Sequence, residues 1–388
     1  MKSSKFKVII STFLVVLLML VTAVGCSSKS SSVSGSEKES ESTKTVKYTD
    51  MVGREVELTT DIKKIVAVRY MDIYYLSAIL GDELDDKLIS LGMSLEKNDI
   101  DGYKKFSEVF NLSNLSNIGS IYDDAISLES VIDLNPDIII VDKQFYEKSC
   151  IKKMIEAGLP VVVTDFNTDP IYGAQENVKM IGKMLGKEER VNEMVTYINE
   201  KTDGVMERVK KLQDSNVKKP KLYFECGNVS PSEFGGTRGD KSNGWGYIWD
   251  KLGADNIGVN NGSNPMNPEQ ILTADPDVVV IGGANWNPDG NIMRFGFYVT
   301  PKQVNDHLEL YTQRAGWSDL DAIKNGRLYG LHFNYTVHPY NYAGLEAMAK
   351  FLYPEEFSDL NPEGDMKEFF DKYMPVEYSG TFSGGWEK

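Results

Sequence analysis

The side chains able to do chemistry in this sequence are mostly cations and flat rings, and they gather at the ends of short apolar runs. Arg69 and Tyr70 follow "KIVAV", Lys143 comes just after "DIIIV", and Asp165 and Phe166 follow "PVVVT". In the second half Glu225 follows "KLYF", Asn285 and Trp286 come after "DVVVIGG", and Asn334, Tyr335 and His338 come after "RLYGLH". Tyr122, Arg238, Trp245 and Arg294 lie in loops able to join them. Guanidinium and ammonium groups answer negative charge, and rings cover an apolar rim. The combination suits an anionic chelate with aromatic or amide groups.

Other chemistries lack their parts. No Gly-x-Ser-x-Gly elbow is present, and no early histidine is available to activate a serine, so a surface hydrolase is the weaker alternative and no catalytic residue is expected. The glycine-rich "GGTRGDKSNGWG" lacks the Gly-Lys-Ser/Thr ending that sets a lysine on phosphates, and it reads as a mobile loop. A bare transition metal wants several imidazole or thiolate ligands, whereas His307, His332 and His338 all lie in the second half. Cys150 and Cys226 are too far apart to suggest a disulfide framework and are expected to be two separate buried thiols. No metal site and no resident cofactor are therefore expected. Haem stays open, because His332, Tyr335 or His338 can each supply an axial ligand; the alternative is that His332 continues a strand and His338 starts a turn before Pro339.

For such scattered residues to meet, the apolar runs must be strands of common sheets. "VKYTDMVGREVELTT" reads as two strands around a turn at Gly53, "KIVAV" as a buried strand, and "DIYYLSAILG" as a helix stopped by glycine. A longer unit then occurs twice: "SLESVIDLNPDIIIV" from Ser127 and "NPEQILTADPDVVVI" from Asn267, matching Glu129 with Glu269, Pro136 with Pro276 and Asp137 with Asp277. Each reads as a capped short helix, Ser127 or Asn267 being the cap, followed by a β-branched strand. "CIKKMIEAG", "PVVVTD", "KLYFEC", "GYIWDKLGA" and "RLYGLH" continue the alternation, which predicts two α/β lobes with mostly parallel sheets. Between them Val191, Met194, Val195, Ile198, Val205, Val209 and Leu212 keep three- and four-residue spacing, which predicts one long helix of about 39 Å at roughly 1.5 Å per residue. In open α/β sheets ligands gather outside the carboxyl ends of strands, so two facing lobes would make that region a cleft.

The chain has 388 residues, 41% of them hydrophobic, and a formal charge of -15, enough for two cores and a field that repels nucleic acid. Lys2, Lys5 and Lys7 precede "VIISTFLVVLLMLVTAV" and then Gly25 and Cys26, the pattern of an export signal; a short membrane anchor over Val8 to Val24 is the alternative. "SSKSSSVSGSEKESESTKT" cannot bury a core and reads as a spacer.

The "AVGC" stretch resembles a bacterial lipobox. Together with the spacer, "YTDMVGREVEL", "PDIIIV", "PDVVVI" and the long helix between two lobes, the chain resembles the substrate-binding proteins of bacterial ABC importers for iron complexes and vitamin B12. The resemblance implies two α/β lobes on a single spine helix with a ligand cleft between them. It implies a signal peptide at 1–26 with Cys26 lipidated, a linker at 27–46, lobes at 47–186 and 217–388, and the spine at 187–216. It further implies a protein held at the outer face of the cell membrane, a ferric siderophore or similar iron chelate as ligand, haem and cobalamin as alternatives, and a permease dimer with its ATPase as partners. One exposed glutamate per lobe, matching Glu129 and Glu269, would meet that permease.

Overall fold

Runs of Val and Ile become strands wherever both faces of a sheet are covered, and two sheets arise that way in the computed structural model, which describes residues 44–92, 95–287 and 290–388. The expected signal segment with Cys26, and most of the expected spacer, lie outside the described residues. Strands β1 (Thr45–Thr49) and β2 (Glu55–Thr59) form a separate antiparallel hairpin, turned at Gly53 with φ 80°. The first large sheet has the order β4-β3-β5-β6, from β3 (Ile65–Ala67), β4 (Leu88–Leu91), β5 (Ile138–Asp142) and β6 (Val161–Thr164), all parallel. The second has the order β11-β10-β9-β7-β8, from β7 (Lys221–Cys226), β8 (Asp255–Asn256), β9 (Val278–Gly283), β10 (Leu328–His332) and β11 (Ser383–Gly385). Only its β10–β11 pair is antiparallel; the rest of that sheet repeats the order of the first.

Side-chain alternation sorts each sheet between two cores. Ile65, Ala67, Ile138, Ile140 and Val162 of the first sheet, and Leu222, Phe224, Val278, Val280 and Leu331 of the second, enter one shared cluster. The residues between them face a private core in each lobe, built on Val66, Ile139 and Val141 in one and on Tyr223, Val279 and Ile281 in the other. The helix Glu188–Asp214 belongs to the shared cluster through Val191, Met194, Val195, Ile198, Val205 and Val209. It also ties the lobes by polar bonds: Arg190 donates through Nε to the Ala78 carbonyl (2.8 Å) and through Nη2 to the Tyr373 carbonyl (2.9 Å).

The duplicated unit has a structural reason. Ser127 Oγ accepts from Ser130 N, and Asn267 Oδ1 from Glu269 N, so each short helix, Leu128–Leu134 and Pro268–Ala274, is capped by the residue just before it. Each ends on a left-handed residue, Asn135 or Asp275, both at φ 48°. The aspartate after each proline then fastens the neighbouring strand: Asp137 Oδ2 accepts from Lys63 N (2.8 Å) and Lys64 N (2.9 Å), and Asp277 Oδ2 from Lys221 N (2.8 Å). Lys64 and Lys221 return the contact, donating to the last helical carbonyls at Leu134 (3.3 Å) and Ala274 (2.8 Å). One device, used twice, locks helix, turn and strand in both lobes.

Candidate functional site

The turns beyond β3, β5 and β6 face those beyond β7 and β10 across a cavity of about 400 Å³. Lobe one lines it with Met71, Gln144 and Asn167. Lobe two supplies Arg238, Trp245, Phe333, Asn334 and Thr336. Trp245 opens the helix Gly244–Lys251 and stacks on Phe224 (4.9 Å between ring centroids, 29°), which holds its indole rigidly at the cavity wall. The Arg238 guanidinium lies 5.4 Å from the centre of the Phe333 ring and donates to the Thr237 carbonyl (2.8 Å). Trp286 meets the same Phe333 edge-on at 5.3 Å, so it backs the cavity rather than lining it.

The glycine-rich loop is packed, not loose. A β-carbon at Gly239 would lie 2.2 Å from the Gly258 carbonyl oxygen, and one at Gly246 would lie 2.1 Å from that of Asp240. Only glycine lets the backbone come that close, and the closeness carries Arg238 and Trp245 to the cavity.

Several of the charged candidates are turned inward. Arg69 is fully buried: its Nε and Nη2 donate to Asp72 Oδ1 (2.8 and 2.6 Å) and its Nη1 to Asp142 Oδ2 (3.0 Å). It fastens the ends of β3 and β5 and has no face toward the cavity. Glu225, also buried, grips Arg314 by two bonds (2.7 and 2.8 Å) and accepts from Tyr223 Oη and Gly235 N. Lys143 bonds Asp165 Oδ2 (2.7 Å), beside the lining residue Gln144. Tyr70 is buried beneath the cleft, and burial raises its phenol well above the ordinary range. Tyr122 is exposed, with its ring edge-on to Phe145.

The possible axial ligands for haem are buried too. Tyr335 is 1% exposed and its Oη donates to Met366 Sδ (3.5 Å), and His338 lies at 0% exposure. Burial pushes His332 down to about 3; burial, then His332 and Arg69, hold His338 far below its usual value, so both are neutral imidazoles. Cys150 and Cys226 are free and buried.

Arg294 stands elsewhere, in a second cavity of about 450 Å³ with Asp101, Asn285, Tyr298 and His307. There Asn285 Nδ2 donates to Asp101 Oδ1 (2.9 Å) and Tyr298 Oη to Glu108 Oε1 (2.7 Å), bonds that join the lobes. Met71, Gln144, Asn167, Phe333 and Thr336 are lining residues that strand-end reasoning passed over. Four of them, Met71, Gln144, Asn167 and Thr336, stand immediately beyond residues it chose.

A family model described as periplasmic binding protein matches residues 94–335. The crystal structure of the TroA-like periplasmic binding protein FepB from Veillonella parvula is 32% identical, with a TM-score of 0.82, and the match covers 88% of this chain and 100% of that one. The uncharacterized ABC transporter substrate-binding lipoprotein YvrC of Bacillus subtilis is 23% identical over 348 residues, 88% of this chain and 96% of the relative. The iron(3+)-hydroxamate-binding protein YxeB of the same organism is 24% identical over 344 residues, 87% of this chain and 92% of the relative.

Proposed function

The chain belongs to the periplasmic binding protein family, and from that premise we propose that its cleft captures a ferric siderophore or similar iron chelate and passes it on unchanged. It is a substrate-binding protein of an ABC importer, whose working partners are a permease and an ATPase. The observation that carries the ligand assignment is the wall of the cavity. Arg238 offers planar cationic donors to an anionic chelate, Trp245 and Phe333 offer faces to its organic shell, and Asn167 and Asn334 offer amides to its polar edge. A relative that binds iron(3+)-hydroxamate supports the same reading. Haem would want an axial side chain at the cavity, whereas His332, Tyr335 and His338 are buried among rings.

Titration of the purified protein with ferric trihydroxamate, ferric catecholate, haem and cobalamin, followed by tryptophan fluorescence, tests this. Saturable quenching by a ferric siderophore, with the chelate recovered intact, is the expected result. Quenching by haem or cobalamin alone would overturn the assignment.

Two attachments complete the proposal. Cys26 carries the lipid that holds the protein at the outer face of the membrane, so Cys26→Ala should release it or leave an unprocessed precursor. Glu129 and Glu269, both exposed in the first turn of their short helices, meet the two subunits of the permease. Replacing both with alanine should abolish uptake while leaving ligand affinity within about twofold; a charge at an exposed rim acts on the partner it faces.

A further inference from the structure

The duplicated helices share more than a glutamate. Three residues beyond Glu129 stands Ile132, 47% exposed, and three residues beyond Glu269 stands Leu272, 36% exposed. Side chains at this spacing are neighbours on a helix surface. Each helix sends one residue fully inward, Val131 or Ile271, and that residue lies between the exposed pair in sequence and so points away from them. The capping bonds and aspartate clamps described above fix both helices to their sheets in the same way. The result is the same small face, one carboxylate beside one partly exposed aliphatic side chain, presented once by each lobe.

We infer that Ile132 and Leu272 are the apolar half of the docking surface, each entering an apolar recess beside the cationic contact of one permease subunit. This rests on the docking role proposed for Glu129 and Glu269. A face built twice in one chain fits a partner that itself presents its surface twice, as a two-subunit permease does. The chain's formal charge of -15 and the two glutamates call for basic groups on that partner, and a partly exposed aliphatic flanking each charge excludes water from the contact.

The test measures affinity of the full-length chain for its permease–ATPase complex in nanodiscs, which needs no transported ligand. The pair Ile132→Ser with Leu272→Ser should weaken binding roughly tenfold, and Ile132→Leu with Leu272→Ile should keep it. The melting temperature and monomeric state should match the parent. If Glu129→Ala with Glu269→Ala weakens binding and the serine pair does not, the inference fails and the docking role stands. If neither pair weakens it, the docking role fails as well. A serine pair that loses affinity together with melting temperature, or that changes the oligomeric state, would assign these side chains to the fold or to self-association and overturn the inference.

Discussion

His338 lies nearly flat on Tyr74, with ring centroids 4.0 Å apart and planes at 23°, and that stack joins the turn after β10 in lobe two to the helix Asp72–Leu80 in lobe one. Tyr74 is fixed from its other end, its hydroxyl donating to Asp99 Oδ2 (2.6 Å). His338 therefore holds the seam beneath the cleft, and it does so as a neutral ring with neither nitrogen partnered among the described residues. His338→Phe keeps the stack and removes two buried polar atoms, so it should leave the melting temperature equal or higher. His338→Ala should cost about 2 to 5 kcal/mol, as large-to-small changes in a packed interior do. A destabilised phenylalanine variant would show that the nitrogens are needed.

Arg69 is expected to govern stability rather than affinity. Arg69→Met would leave Asp72 and Asp142 buried without their cation, and breaking a buried pair from one side typically costs about 3 to 5 kcal/mol. Denaturant unfolding should show a lowered midpoint, and the folded fraction should still bind the chelate. An unchanged midpoint combined with lost binding would place the guanidinium at the ligand instead.

Arg238 should behave in the opposite way. Its hydrogen bond to protein runs to the neighbouring Thr237 carbonyl, so Arg238→Ala should leave the unfolding midpoint nearly unchanged while weakening ferric trihydroxamate binding by tenfold or more, a loss of about 1.4 kcal/mol or greater. Trp245→Phe preserves the stack on Phe224 and should abolish most ligand-dependent quenching. Isothermal titration beside a thermal melt separates the two effects. Wild-type affinity in Arg238→Ala would move the ligand away from this cavity.

The fold was largely legible because its signals are local. The β-branched runs of β5, β6 and β9, the three- and four-residue spacing along Glu188–Asp214, and the caps Ser127 and Asn267 each depend on residues within a turn or a strand. The helix Asn341–Leu352 was not legible: eleven of its residues are buried, Glu346 among them, and a helix covered on nearly all sides has no polar stripe to announce it. At the site, partners remote in sequence decided the outcome. Asp142 stands 73 residues from Arg69, and Arg314 stands 89 from Glu225, so nothing beside either residue tells that its charge is already matched. The cleft is lined by the turn after the strand-end residue, as Met71 follows Tyr70, Gln144 follows Lys143 and Asn167 follows Phe166. Strand-end side chains tie the sheet together, and the next ones are free to face across.

Glu346 gives the stability of this protein a pH dependence. The residue is 1% exposed, and its Oε2 has no partner among the described residues. Burial above all, then the charge of Asp365 and a hydrogen bond with it, raise its pKa from 4.5 to about 8 against the weaker pull of Lys201, which itself bonds Asp365 at 2.6 Å. The folded value lies above the unfolded one, so between them the folded state holds the proton that the unfolded state has released. The contribution is therefore present below about pH 4.5 and is lost as pH rises through about 8, by up to roughly 1.4 kcal/mol per pH unit inside that window. Glu346→Gln imitates the protonated form at every pH. Urea unfolding at pH 5 to 9 should show the variant gaining on the parent steadily from pH 5 to 8 and by no more above that. A difference that stays constant across the series would mean that Glu346 does not carry its proton into the folded core.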